Sequence, residues 1–255
     1  MTSNFIKILF LLLFSSKIHC QVPEIPNKNL VKNYSQFSHK FEPKSCWKYK
    51  YKLKNGLIIQ QENYCRLKLM SRTRFEYDKH DNLIRTINTF SVDKGKISDS
   101  TDIKLKYKNA ILIEKKYDFD LIEKYSDFNI FNKPKLIERK DEFKFHPHKE
   151  ILEYDTKGNT SKSISFSFDR DLKTGEETLQ KEITIYKYDN QNNITEIHRQ
   201  FEPKQEFPII IIGGFQLDEI EYYSYKYNKK GLWIKKYRKF KGDSIPTLIA
   251  KRNFK

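Results

Sequence analysis

Strict alternation of apolar and polar residues is the feature that most restricts how this chain can fold. In "WKYKYKLK" (47–54) every second residue is Trp, Tyr or Leu, and the residues between them are lysines. The same period of two returns in "IKLKYK" (103–108), "SISFSFD" (163–169) and "YSYKYNK" (223–229). Alternate side chains of a β-strand point to opposite faces, so this period is typical of half-buried antiparallel strands. The sequence therefore predicts an all-β protein, with antiparallel hairpins forming one twisted or curled sheet.

A sustained helical period is hard to find along the chain. In "DFDLIEKYSDFNIF" (118–131), Phe119, Ile122, Tyr125 and Phe128 are spaced three apart, which is compatible with one short helix.

The first 20 residues have the layout of a secretory signal peptide. Lys7 precedes an apolar run (8–14), and small and polar residues follow. The run is far shorter than the roughly 18–20 residues that a transmembrane helix needs. Cleavage after Cys20 would release the mature chain, whereas in the alternative reading Cys20 is the lipidated first residue of a lipoprotein. The residues before Cys20 fit the lipoprotein pattern poorly.

These features predict an extracytoplasmic protein, secreted or periplasmic, with no transmembrane segment. Residues 1–20 are assigned to the signal peptide, residues 21–45 to an extended leader that carries three prolines, and residues 46–255 to one β domain. Loss of Lys7 and Lys17 with the signal peptide lowers the net charge from +16 to +14. The lysines are dispersed along strands and arginine is scarce, which argues against nucleic acid as a partner.

Two cysteines, Cys46 and Cys65, remain in the predicted mature chain, and one disulfide is the expectation for an exported protein. If Asn55-Gly56 forms a two-residue type I′ turn, Cys46 and Cys65 face each other across one hairpin. An alternative places the turn at residues 52–55, which would displace the two cysteines from each other. The sequence leaves the register of this hairpin open.

A short phrase recurs at the ends of strands. It reads "YDKHDN" (77–82), "YDTKGN" (154–159), "YDNQNN" (188–193) and "YNKKGL" (227–232), with a degenerate copy "YKLKNG" (51–56). Asp or Asn follows the tyrosine in the four better copies, and Asp, Asn or Gly stands four residues after it. An Asp or Asn side chain at the first position of a turn accepts hydrogen bonds from nearby amides, and Gly or Asn tolerates the left-handed backbone. Each phrase therefore predicts a hairpin turn with a bulge.

The tyrosine-aspartate phrases at Tyr77, Tyr154 and Tyr188, with the copy at Tyr227, resemble the YD repeats of RHS-like bacterial surface and secreted proteins. The resemblance covers most of residues 46–241, and only "YDTKGN" keeps the Gly and Asn together. It implies long antiparallel sheets built from hairpins, an extracytoplasmic setting and a loose association with carbohydrate or surface binding. The largest relatives wind such sheets into shells around a toxic C-terminal domain. This chain has about five copies and ends at "AKRNFK", so we expect a short member without a toxin domain.

The candidate sites for chemistry are weak. Asp78, Asp155 and Asp189 occupy the same turn position, which favours turn formation over acid–base catalysis. His146, His148 and Glu150 are spaced two apart, but Pro147 disfavours a central strand there, and we assign no metal site. We predict no catalytic residues and no cofactor.

Aromatic residues are the remaining candidates for binding. Tyr223, Tyr225 and Trp233 cluster in one predicted hairpin and could stack on sugar rings, although such rings more often form core. The sequence thus predicts a non-enzymatic binding or structural module at the cell envelope, with an anionic or neutral glycan or the envelope surface as its partner. The alternative is a secreted effector or an envelope assembly protein with a protein partner. The oligomeric state is left open.

Overall fold

The computed structural model describes residues 33–38, 47–65, 67–92, 95–141, 147–170, 175–211 and 215–254. Within these ranges every regular element is a β-strand. The strands are β1 (Asn33–Ser38), β2 (Trp47–Lys54), β3 (Leu57–Cys65), β4 (Lys68–Tyr77), β5 (Leu83–Val92), β6 (Gly95–Lys108), β7 (Ile111–Tyr117), β8 (Ile122–Phe128), β9 (Pro134–Lys140), β10 (Lys149–Tyr154), β11 (Thr160–Arg170), β12 (Glu177–Tyr188), β13 (Ile194–Glu202), β14 (Ile209–Ile211), β15 (Phe215–Leu217), β16 (Ile220–Tyr227), β17 (Trp233–Phe240) and β18 (Thr247–Phe254). The described residues form no helix that could span a membrane.

Sixteen of these strands form one closed antiparallel barrel. Neighbours in sequence are neighbours in the sheet, except that β13 pairs with β16 and the short β14–β15 hairpin lies outside the barrel sheet. Strand β1 closes the barrel because it pairs with β2 on one side and with β18 on the other.

The all-β, antiparallel prediction is confirmed, but the prediction of an open twisted or curled sheet is wrong. The closing strand β1 lies within residues 21–45, the segment assigned to an extended leader. It pairs Tyr34 with Phe254, a contact between residues at opposite ends of the chain. Bulges next to the tyrosines that end β4, β10 and β12 add local bending to the sheet, and bending favours closure.

The prediction of a possible short helix within residues 118–131 is also wrong. Strand β8 occupies most of that segment, and Glu123 and Tyr125 pair with residues of β9. Asp120 adopts the left-handed conformation (φ 63°) in the turn before β8. The spacing of three thus arises from a turn followed by a strand, whose side chains happen to fall at helical intervals.

The first hairpin has the two-residue turn, with Asn55 at φ 51° and Gly56 at φ 79°. Lys54 pairs with Leu57, as a type I′ turn requires, but a bulge between Lys52 and Leu53 shifts the register by one residue. Cys65 consequently lies opposite Trp47 instead of opposite position 46. Cys65 is in a disulfide, and Cys46 lies outside the described residues, so the pairing of these two cysteines stays a prediction.

The barrel interior is not a close-packed core. A barrel of about 16 strands is too wide for side chains to fill, whereas one of about eight is not. Among the described residues Ser165 is the only side chain with less than 2% of its surface exposed. The buried apolar cluster is small, with Tyr34, Tyr51, Leu53, Ile58 and Leu232 as members. The stability of the barrel therefore depends on the pairing of strands and on contacts along the inner wall.

Candidate functional site

Seven hairpin turns meet at one end of the barrel, because alternate strands of an antiparallel barrel run in the same direction. We call this end the turn rim. Its turns comprise residues 55–56, 78–82, 109–110, 129–133, 155–159, 189–193 and 228–232. All copies of the recurrent phrase lie on this rim.

The phrase builds its turn as the sequence predicts. The Oδ1 atom of Asp155 accepts hydrogen bonds from the N–H groups of Lys157 (2.9 Å) and Asn159 (2.8 Å). Gly158 occupies the left-handed position at φ 80°. The same pair of side-chain bonds is made by Asp78, Asp189 and Asn228. The prediction that these residues form turns is confirmed.

A further copy went unrecognised in the sequence. In "FNIFNK" (128–133), Asn129 Oδ1 accepts from the N–H groups of Phe131 (2.9 Å) and Lys133 (3.0 Å), and Asn132 is left-handed at φ 56°. Phenylalanine replaces the tyrosine, which hid the copy. The Asn at the first turn position and the Asn three residues later were the signal that could have revealed it.

Hydrogen bonds favour the ionised form of two turn carboxylates, Asp155 and Asp78. Desolvation opposes ionisation of Asp155, but hydrogen bonds from Asn159 and Lys157 outweigh it, so the pKa of Asp155 lies below its ordinary value. Asp78 follows the same pattern with bonds from Tyr107, Asn82 and His80. Burial and the Asp78 carboxylate raise the pKa of Tyr107 to about 12. These carboxylates act as hydrogen-bond acceptors that order the rim.

Neighbouring turns are connected to one another. Tyrosine hydroxyls donate to carbonyl groups at or next to the start of the preceding strand: Tyr77 to Ile58 (2.8 Å), Tyr154 to Pro134 (2.7 Å) and Tyr188 to Thr160 (2.8 Å). Side chains also bridge from turn to turn, with Lys133 Nζ to Gly158 O at 2.7 Å and Asn159 Nδ2 to Asn192 Oδ1 at 3.2 Å. Tyr227 bonds the carboxylate of Asp189 in the same way. The rim is thus a laterally bonded chain of turns.

The contact between Gly158 and Phe131 provides a test of this packing. A Cβ atom at Gly158 would lie 3.2 Å from the Phe131 ring, whereas a Cβ at Gly231 (φ 71°) would meet nothing within 4 Å. Both substitutions to alanine force a left-handed alanine, which costs about 1–2 kcal/mol. We expect Gly158→Ala to lower the free energy of unfolding by about 1 kcal/mol more than Gly231→Ala, measured by urea denaturation. Equal losses would show that Phe131 does not press against Gly158.

The turn rim is basic. Seven exposed lysines lie in or next to its turns, against one exposed acid, Asp81. The lysines are Lys54, Lys79, Lys108, Lys133, Lys157, Lys229 and Lys230. On the outer wall, in contrast, lysines form ion pairs across strands, as Lys162 does with Glu153 (3.1 Å) and Lys181 with Glu202 (2.9 Å). With the half-buried turn carboxylates Asp78, Asp155 and Asp189 included, seven lysines face four acids, so the rim carries a net positive charge.

Tyr223, Tyr225 and Trp233 come together on the inner wall rather than on the rim. The rings of Tyr225 and Trp233 are 5.9 Å apart, and Trp233 is 6% exposed. Cations of the same chain cover the rings: Arg252 lies 3.4 Å from the Trp233 centroid and Lys236 Nζ 4.2 Å from that of Tyr223. Stacking of a ligand on these rings stays a prediction.

The inner wall carries a belt of charges that the sequence reasoning missed. Arg139 bonds Glu123 (Nε to Oε1, 2.8 Å) and Glu150 (Nη2 to Oε2, 3.1 Å), and all three side chains are nearly buried. The hydroxyl of Tyr125 donates to Glu123 Oε2 at 2.5 Å. Burial and the Glu123 carboxylate hold the pKa of Tyr125 well above its ordinary value.

A second cluster of the belt lies four strands away from Arg139. Arg199 bonds Glu221 at 2.6 Å, and Tyr223 bonds the same carboxylate.

The alternation contained a signal for this belt. Glu123 shares an inward face with Tyr125, and Glu221 with Tyr223, because residues two apart on a strand point the same way. A charged residue on the face that carries the aromatics predicts a buried partner, since an unpaired buried charge is costly. Among the described residues, no group of three or more His, Cys, Asp or Glu side chains is placed to hold a metal ion. His146 lies outside those residues, and the His148 ring stacks on Phe168 at 4.9 Å.

A scan against protein-family models and a search of curated proteins give no match to this chain. Similar solved structures include the Tc holotoxin pore of Photorhabdus luminescens, with 13% identity over 81% of this chain and a TM-score of 0.29. A TcdB2–TccC3 complex without its hypervariable C-terminal region shows 7% identity over 80% of this chain, with a TM-score of 0.26. The chain spans only 15% and 14% of the lengths of these two toxin chains.

A porin-like protein from Bacteroides uniformis shows 9% identity, with 88% of this chain and 98% of that chain covered and a TM-score of 0.31. TM-scores this low do not support any inference about the function of this chain. Membership of the YD-repeat family therefore stays a prediction from the motifs.

Proposed function

We propose that this protein is an exported, non-enzymatic binding module of the cell envelope, and that its turn rim binds an anionic glycan. The observation that carries the proposal is the ratio of seven exposed lysines to one exposed acid on the rim. Sugar-borne phosphates and carboxylates are the complementary groups outside the cytoplasm. Export rests on the signal peptide predicted at residues 1–20, which lie outside the described residues.

Rigidity of the rim supports binding. Hydrogen bonds within and between turns fix the backbone from which the lysines project, so binding orders few backbone groups. Adjacent hairpins are separated by two strand spacings, about 10 Å, which distributes the charges along the rim. An extended polyanion can contact several of them at once.

The carboxylates with known partners support a non-enzymatic role. Asp78, Asp155 and Asp189 accept backbone amides, and Glu123, Glu150 and Glu221 bond arginines. A glycoside hydrolase needs two carboxyl groups that flank a sugar in an accessible cleft. The hydrogen-bonded and ion-paired carboxylates named above do not provide such a pair.

Binding of the mature protein to immobilised lipopolysaccharide, polyuronate and a neutral glucan tests the proposal. We expect binding to the two anionic polymers, weaker at high salt because salt screens exposed charges. Replacing Lys79, Lys157, Lys229 and Lys230 with glutamine should weaken binding about tenfold to a thousandfold, at about 0.3–1 kcal/mol per charge.

The matched control removes four exposed lysines of the outer wall, Lys104, Lys116, Lys124 and Lys140. Its net charge is the same as that of the rim variant, so it should bind nearly as well as the wild type. Equal losses in both variants would show that overall charge, not the rim, controls binding. Binding to the neutral glucan alone would overturn the anionic ligand class.

A protein partner is the second candidate, and an apolar part of the outer wall favours it. Phe168 (43% exposed) pairs across strands with Leu179 (50%), and Ile185 (39%) lies farther along β12. Exposed apolar side chains grouped in this way are typical of interaction surfaces. Capture of one envelope protein by the wild type but not by a Phe168→Ser, Leu179→Ser variant, without glycan binding, would favour this candidate.

A further inference from the structure

Ser165 is the most deeply buried side chain described in this protein, and its hydroxyl has no hydrogen-bond partner. It is 2% exposed and points to the inner wall in the middle of β11. Buried hydroxyls almost always have a partner, because an unpaired one forfeits its bonds to water. An unsatisfied hydroxyl at this position indicates that something absent from the polypeptide bonds it.

Two carboxylates flank this hydroxyl. Ser165 pairs directly with Glu150 on β10 and with Glu182 on β12, so the three side chains form one row on the same face. Directly opposed residues have Cβ atoms about 4.5–5.5 Å apart, so both glutamates can extend over the small serine. Glu150 is 6% exposed. Burial is the main reason that the pKa of Tyr186 is raised, and the charges of both carboxylates add to it.

The surroundings of the row are rich in oxygen. Ser163 (6% exposed) and Thr184 (4%) form the next row, and Thr184 Oγ1 donates to Glu182 Oε1 at 3.0 Å. Two guanidinium groups lie along the same belt: Arg139 bonds Glu150 of the row through Oε2, and Arg199 bonds Glu221. The belt thus includes a serine between two carboxylates, one of which also bonds an arginine.

We propose that the Glu150–Ser165–Glu182 row binds a hard divalent cation, with Ca²⁺ as the physiological ion. Carboxylate and hydroxyl oxygens are the ligands that Ca²⁺ prefers, and water completes a shell of 6–8 oxygens. Thiol and imidazole groups, which softer metals prefer, are not part of the row. The bound ion gives the Ser165 hydroxyl a partner and links β10, β11 and β12 across the inner wall. This proposal is independent of glycan binding at the rim.

Thermal unfolding of the chelator-treated mature protein tests it. Extracellular modules bind Ca²⁺ with dissociation constants of about 10⁻⁴–10⁻³ M. Addition of about 10 mM CaCl₂ should therefore raise Tm by about 3–8 °C relative to an NaCl solution of equal ionic strength. Terbium, a luminescent substitute for Ca²⁺, should show emission excited through tyrosine, and Tyr186→Phe should weaken it.

Three variants distinguish a cation site at Ser165 from a buried hydroxyl that binds no ion. Ser165→Ala should unfold at an equal or higher temperature than the wild type in chelator, but respond less to Ca²⁺. Glu182→Gln should lose the response, whereas Ser167→Ala, on the same face of β11, should keep it. No shift with Ca²⁺, or a wild-type response in Ser165→Ala, would overturn the proposal and leave a buried water as the partner of the hydroxyl.

Discussion

Replacing Arg139 with alanine is expected to lower the free energy of unfolding by about 3–5 kcal/mol. The substitution removes the cation that bonds both Glu123 and Glu150, whose side chains are 13% and 8% exposed. Two carboxylates would then remain in the inner wall without their arginine. Urea denaturation of the mature protein at neutral pH measures the loss.

The ion pair of Lys162 with Glu153 is the matched control. Its N–O distance is 3.1 Å, equal to that of Arg139 with Glu150, but its side chains are 32% and 55% exposed. Exposed pairs contribute about 0–1 kcal/mol, so Lys162→Ala should change stability little. A loss for Arg139→Ala as small as that for Lys162→Ala would mean that water solvates the inner wall and that the belt is not a buried network.

The pH dependence of the Arg139 effect has a definite sign. Burial alone would raise the pKa of Glu123, but Arg139 and Tyr125 outweigh burial and hold it below its ordinary value of 4.5. A depressed pKa contributes stability that is present above the unfolded-state value and is lost as the pH falls through the folded-state value. The stability difference between wild type and Arg139→Ala should therefore narrow as the pH falls below about 4.5.

Local structure was predictable from the sequence where a local rule decides it. Asp155 and Gly158 lie three residues apart, and the hydrogen bonds that Asp155 Oδ1 accepts stay within residues 155–159. The residues that specify such a turn are close together in the sequence, so the phrase predicted it correctly. The alternation of "YSYKYNK" likewise specified strand β16, because strand periodicity depends only on which face is buried.

Contacts between distant residues were not predictable in this way. Arg199 and Glu221 are separated by the β14–β15 excursion, so no local spacing indicates that they bond. The two-residue turn of the first hairpin was among the expected alternatives. The one-residue bulge between Lys52 and Leu53 was not, and it places Cys65 opposite Trp47. The ion pair and the hairpin register both depend on how strands pair with each other. The pairing of strands cannot be read from a single sequence.

Barrel closure is the largest of these long-range effects, and it yields the second strong prediction. Removing residues 21–38 from the mature chain should abolish the closed barrel. Tyr34 in β1 is 2% exposed and stacks on Tyr51 at 4.6 Å, and Arg252 Nε donates to Gln36 at 3.0 Å. Loss of one buried aromatic side chain alone costs about 3–5 kcal/mol, a large fraction of a typical domain stability of about 5–15 kcal/mol.

The remaining strands have no simple way to close again. β2 and β18 both run antiparallel to β1, so they are parallel to each other and cannot adopt the antiparallel pairing used elsewhere in the barrel. The truncated chain should therefore expose two unpaired edges and form oligomers, seen by light scattering after gel filtration, with a lower Tm. Deletion of residues 21–32 keeps β1 and is the control, for which we expect a monodisperse species with the wild-type Tm. A truncated chain without β1 that matches this control would mean that the leader does not close the barrel, and that the sheet is stable when open.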